Sequence, residues 1–201
     1  MVTGVTLEPK WLDQDIDIQS WILREPECEI PISHYWIFRF EDVRGDFADF
    51  IGEWLKYVQK FAEPLNCYSS TIYHSLTGEL AHLSLTQALE AYHGIQFSSH
   101  HKHEFKAKIE ELCSLHADSL KGLVDDIPDF SERVLCTRNY YTHHNPKWLL
   151  TGKVAKKAEL VRLNEKLRLL FQMCVLTDLK IPADRFSRLR RRLATEIIDY
   201  I

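Results

Sequence analysis

Glycine is scarce in this sequence, at 7 of 201 residues, and none of it falls in a phosphate-cradling pattern. That argues against the Rossmann and P-loop nucleotide folds, whose tight strand-to-helix turns need several glycines close together. No His-Glu-x-x-His pair for a zinc protease and no Gly-x-Ser-x-Gly elbow for a serine hydrolase occurs either. No apolar run approaches the ~20 residues that span a bilayer, so no membrane association is expected. The N-terminus, MVTGVTLEPKWLDQDID, lacks the basic start and apolar centre of a secretory signal. The five cysteines (Cys28, Cys67, Cys113, Cys136, Cys174) are scattered, odd in number and never in a Cys-x-x-Cys pair. They read as reduced thiols filling the core of a cytoplasmic protein, not as a disulfide framework or zinc site.

What is present is the composition of a globular chain, 45% hydrophobic and 27% charged, long enough for one well-buried core. The formal net charge of −4 conceals an asymmetry. Residues 1–132 carry 10 Lys/Arg against 23 Asp/Glu, whereas residues 133–192 carry 15 against 4. The basic part suits a polyanion, or equally a pairing with the acidic part.

Residues 1–45 hold Pro9, Pro26 and Pro31 and the aromatic run HYWIFRF, and read as a short extended, strand-like segment. Too few strands are present for a sheet of their own, so this segment either packs on helices or ends a domain that lies upstream. Residues 46–201 form the helical domain. Apolar spacings of three and four predict helices over 46–62 (Phe47, Phe50, Ile51, Trp54, Tyr57, Val58, Phe61), 77–96 (Leu80, Leu83, Leu85, Leu89, Tyr92) and 103–123 (Phe105, Ile109, Leu112, Leu115, His116, Leu120). A fourth runs from Pro128 to about His144, where Asn145-Pro146 stops it, a fifth over 154–179, and a sixth from Pro182 almost to Ile201. The expected fold is an all-α bundle of five to six helices.

Several clusters compete as sites. His100, His101 and His103 have no carboxylate or cysteine at ligand spacing and read as a solvated loop. Asp125, Asp126 and Asp129 suit the capped first turn of a helix better than a cation. Arg188, Arg190, Arg191 and Arg192 spread over more than one helical face, fitted either to RNA phosphates or to the acidic part of the chain.

The run RNYYTHHNP, Arg138 to Pro146, is the strongest candidate. With Phe130 at 0° on a helix turning ~100° per residue, Val134, Thr137 and Tyr141 fall within about 40° and face the core. Asn139 lies near ~180° and His143 near ~220°, neighbours four apart on the opposite side, with Arg138 on the flank near ~80°. Histidine can carry a proton, arginine presents a fork to a phosphate, and asparagine can orient either. Such a trio suits RNA cleavage by the ribose 2′-hydroxyl, where the substrate supplies its own nucleophile. Spacing alone does not separate this reading from a helix end whose histidines complement the dipole, because chance supplies on the order of one Arg-to-His match of this kind.

The segment ELCSLHADSLKGLVDDIPDFSERVLCTRNYYTHHNP, with LAHLSLTQALEAYHG before it and LRLLFQMCVLTDLKIPADRF after it, resembles the HEPN domains of the ApeA type. These end bacterial anti-phage defence proteins, and the resemblance covers about 46–201. It implies a HEPN-type helical bundle and a metal-independent endoribonuclease with an Arg-x4–6-His motif and no cofactor. Carried onto this sequence, Arg138 matches the motif arginine, Asn139 the polar residue after it, and His143 the motif histidine. His144 and Tyr140 are secondary candidates, and Arg188, Arg191 and Arg192 are candidate RNA contacts. The resemblance further implies a homodimer that juxtaposes two motif helices in one composite site, an upstream sensor domain, and an RNA substrate such as transfer RNA, ribosomal RNA or a phage transcript. A non-catalytic HEPN module for RNA binding or dimerisation is the alternative.

Overall fold

The structure is a computed structural model that describes residues 47–74, 76–97 and 104–181. The extended segment 1–45, the histidine loop, the helix expected from Pro182, and with it Arg188, Arg191 and Arg192, lie outside the described residues.

The described residues form helices α1 (Phe47–Lys60), α2 (Ala62–Tyr73), α3 (Gly78–Phe97), α4 (Phe105–Leu115), α5 (Ala117–Leu120), α6 (Ile127–His143) and α7 (Ala158–Asp178), with a 3-10 helix, Pro146–Thr151, between the last two. The all-α bundle is as the apolar periodicity predicts, and no strand occurs among the described residues. Helix α3 is its axis, packing against α2, α4, α6 and α7. That explains a wide buried arc. Ala81, Leu85, Ala88, Leu89 and Tyr92 are buried together with the polar His82, Thr86 and His93, which at ~100° per residue covers about 160° of the helix. Leu80, expected in the core, falls outside this arc and is exposed. Choosing core positions by hydrophobicity alone missed the polar edge of the arc.

Other expectations need correction. Residues 103–123 do not form one helix; the chain breaks at His116 (φ −117, ψ 20), leaving Leu115 exposed while His116 is buried. No glycine or proline marks that break. Helix α2 was not foreseen, since Pro64, Ser69, Ser70 and Thr71 are poor helix formers. Pro64 is tolerated because it sits in the first turn, where its missing N–H has no helical partner. In α1 only Tyr57 is buried, while Phe47 and Ile51 are exposed. The fifth helix, expected from about Val154, begins four residues later as α7 at Ala158, after the 3-10 helix and an irregular stretch.

Several polar groups of the interior are paired. The Asp178 carboxylate accepts from Tyr92 Oη (2.8 Å), Tyr57 Oη (3.2 Å) and Gln96 Nε2 (3.2 Å), tying α1 and α3 to the end of α7. His82, fully buried, lies 2.9 Å from Asn164 Oδ1, and Asn164 Nδ2 donates to the Gly78 carbonyl at 2.8 Å. Because the Asn164 amide nitrogen faces Gly78, its oxygen accepts from His82 Nδ1, and the Val134 carbonyl lies 3.5 Å from Nε2 on the other side of the ring. Four cysteines among the described residues are free thiols, and burial pushes Cys113 up to about 12. Such a thiol is inert core filler.

Burial also depresses the pKa values of His82 and His116 below the ordinary 6.5. The unfolded chain therefore binds more protons than the folded one once pH drops through ~6.5. Stability is expected to be full above that pH and to decline below it, until the folded-state values are reached. Urea midpoints from pH 8 to pH 5 check this; a His82→Gln variant should show a weaker decline, and a flat wild-type profile would contradict it.

Candidate functional site

Helix α6 carries the motif, and its start and end are chemically defined. The Asp126 side chain accepts from Asp129 N at 2.8 Å with Pro128 in the first turn, so the acidic cluster caps the helix as expected. The helix ends at His144, which turns left-handed (φ 47, ψ 29) and returns its N–H to the Tyr140 carbonyl. Asn145 then accepts from Lys147 N at 3.0 Å and starts the 3-10 turn.

The rotation of α6 about its axis is set by three sets of contacts. Phe130, Val134 and Thr137 are buried, as the predicted stripe requires. On one flank, Ser131 Oγ donates to Glu110 (2.9 Å) and Lys106 pairs with Glu132 (2.7 Å), binding α6 to α4. Behind it, Thr137 Oγ1 accepts from Ala155 N (3.0 Å) and Tyr141 Oη donates to the Ala155 carbonyl (3.2 Å). These contacts turn Asn139 and His143 outward. Asn139 is half-buried and His143 exposed. Among the described residues neither side chain makes a hydrogen bond, so both keep their full bonding capacity for something else.

Arg138 is placed differently. Its Nη2 donates to Glu90 Oε2 at 2.7 Å, and its guanidinium carbon lies 4.3 Å from the centroid of the Phe105 ring. Lys108 Nζ donates to the other oxygen of Glu90 at 3.2 Å. Glu90 on α3 therefore bridges two cations, one from the motif helix and one from α4. Both Arg138 and Glu90 remain about a third exposed (side-chain exposure 31% each), so the pair is open to solvent and its guanidinium keeps unused N–H groups. Within one chain the partners of Arg138 are Glu90 and Phe105, not Asn139 or His143. Glu90 lies 48 residues from Arg138, a separation at which no local spacing rule could have found it.

Tyr140 and His144 adjoin the outward face. Their rings meet edge to face at 6.1 Å, and Lys156 Nζ sits 5.4 Å from the Tyr140 ring centroid. Among the described residues, two cavities lie away from this face. One of about 450 Å3 is apolar, lined by Trp54, Tyr68, Tyr73 and Phe171, and one of about 340 Å3 is polar, lined by Asp126, Arg133, Arg162 and Lys166. Among the described residues no three His, Cys, Asp or Glu side chains cluster as metal ligands, and no helix is long and apolar enough to cross a membrane.

Chemically, the outward face of α6 presents a group able to move a proton beside an amide, with an arginine fork around the helix. Within one chain the guanidinium engages Glu90 and Phe105. No curated protein and no solved structure matches the chain. The family model of the Apea-like HEPN domain matches residues 83–185, which is just over half of the sequence and includes all of α6 and α7 up to the end of the described residues. The chain belongs to the Apea-like HEPN family.

Proposed function

We propose that this protein is a metal-independent endoribonuclease in which Arg138, Asn139 and His143 of two chains form a composite site. Family membership supports an RNA-related activity, commonly a ribonuclease. The observation that carries the finer reading is the outward pairing of Asn139 with His143, an exposed histidine with no hydrogen bond among the described residues. Such a face suits a partner or substrate, not the interior.

In this reading His143 accepts the proton of a ribose 2′-hydroxyl. The 2′-oxygen attacks the adjacent phosphorus, the bond from phosphorus to the 5′-oxygen breaks, and that oxygen takes up a proton. The products are a 2′,3′-cyclic phosphate and a 5′-hydroxyl end, and no external nucleophile or metal enters the balance. Arg138 stabilises the charge that gathers on the phosphoryl oxygens, and Asn139 orients His143 or the substrate. A second copy supplies what one chain leaves apart. Anti-phage defence in the cytoplasm is the setting the family suggests.

A non-catalytic module for RNA binding or dimerisation is the second reading. The observation in its favour is the Glu90–Arg138 pair, which leaves the motif arginine engaged within its own chain. The two are separated by incubating the protein with RNA, and with DNA of the same sequence, in EDTA. Cleavage of RNA alone, with cyclic phosphate ends, is expected. RNA that is retained but never cut identifies the module, and cutting that requires added metal defeats the proposed chemistry.

A further inference from the structure

The stretch that contains the motif and the turn after it is distinctive in charge, although Glu132 and Glu159 flank it. From Arg133 to Ala158 there is no acidic residue, while Arg133, Arg138, Lys147, Lys153, Lys156 and Lys157 all fall within it. The turn after α6 is fixed rigidly against the motif helix. Ala155 is fully buried, its N–H bound by Thr137 and its carbonyl by Tyr141. That clamp places Lys156 beside the Tyr140 ring at 5.4 Å. A second pair of the same kind, Lys147 Nζ at 5.5 Å from the Trp148 ring, lies in the 3-10 helix packed on α6. Among the described residues, Lys147 and Lys156 form no ion pair, unlike Lys153, which is held by Asp129.

Backbone strain brackets the same segment. Of the three non-glycine residues with positive φ among the described residues, His144 (φ 47) stands at its start and Lys157 (φ 50) at its end. Such conformations cost energy and persist where the surroundings over-determine them.

We propose that Tyr140 and Lys156 form a binding platform for single-stranded RNA, the base stacking on Tyr140 and the adjoining phosphate taken by Lys156. The platform rests on the nuclease reading for its purpose, because Tyr140 and His143 are three apart on one helix and so are neighbours on its surface. A base seated on Tyr140 holds its strand beside His143. Aromatic faces accept any base, and unpaired lysines supply the sequence-independent attraction of a nucleic-acid backbone. A second copy of this chain is the less suitable occupant. A twofold contact centred on this patch sets it against itself, and lysine would face lysine.

The test uses the full chain and a fluorescein-labelled single-stranded oligonucleotide whose 2′-oxygens are methylated, so that it binds but cannot react. Anisotropy titrations at several salt concentrations give the affinity and its salt slope. Tyr140→Leu is expected to weaken binding by about 5- to 100-fold, while Tyr140→Phe stays within about twofold because the ring is kept. Lys156→Gln is expected to weaken binding about fivefold and to lower the salt slope by about one. Unchanged binding in Tyr140→Leu and Lys156→Gln overturns the platform, as does a wild-type chain that does not bind the oligonucleotide. Sedimentation of the same variants decides the protein alternative: loss of a dimer that the wild type forms assigns the patch to a subunit interface and overturns the proposal. The nuclease reading fails separately. If unmodified RNA is never cleaved but Tyr140→Leu still loses affinity, the platform stands without it.

Discussion

His143→Ala is expected to lower the rate of RNA cleavage by roughly 10²- to 10⁴-fold, the usual contribution of a positioned proton carrier. Stability should not follow. His143 is exposed in the last turn of α6 and makes no hydrogen bond among the described residues, so its removal opens no cavity and orphans no partner. Its one structural contribution is to the helix dipole, worth about 0.3–1 kcal/mol at most for a surface charge. The two measurements together, single-turnover cleavage and a urea midpoint, separate a reacting group from a structural one. Undiminished cleavage removes His143 from the mechanism. Lost cleavage with an equal loss of folded protein would mean that the helix end, and not the chemistry, had been disturbed.

The helix that carries the motif was the most legible part of the sequence. Its start follows from Asp126, Pro128 and Asp129, its end from Asn145-Pro146, and its buried stripe from Phe130, Val134 and Thr137, all local signals that tertiary contacts reinforce. The outward placement of Asn139 and His143 then follows from helical geometry alone. The sequence was least legible where burial depends on pairing. His82 and Thr86 lie in the core of α3 while Leu80 does not, because His82 is matched by Asn164 and because α3 is covered on several sides. Helix α2 was hidden by its serines and proline, and the break at His116 carries no breaker residue. The same limit applies to the candidate site. Periodicity puts Arg138 on the flank of α6 but says nothing of Glu90 and Phe105, which come from two other helices and decide what the guanidinium touches.

That contact leads to the second large effect. Arg138 uses Nη2 for Glu90 and one face for Phe105, which leaves further N–H groups on its rigid fork. A phosphate approaching from solvent can therefore be bound without breaking the Glu90 pair, and Glu90 then acts as a positioning residue that aims the fork. Arg138→Ala is expected to reduce cleavage by roughly 10²- to 10³-fold. Unlike His143→Ala, it should also cost about 1 kcal/mol of stability, since Phe105 loses its cover and the Glu90 carboxylate loses one of the two cations that it bridges among the described residues. Glu90→Gln retains the shape but removes the charge that orients Arg138, and is expected to reduce cleavage about tenfold, with the remaining activity falling more steeply at high salt. The decisive measurement is the double variant. If Glu90 works only through Arg138, adding Glu90→Gln to Arg138→Ala lowers the rate no further than Arg138→Ala alone. Additive losses would give Glu90 a role of its own. An increase in cleavage with Glu90→Gln would mean that the pair restrains Arg138, which must then leave Glu90 before it can meet its substrate.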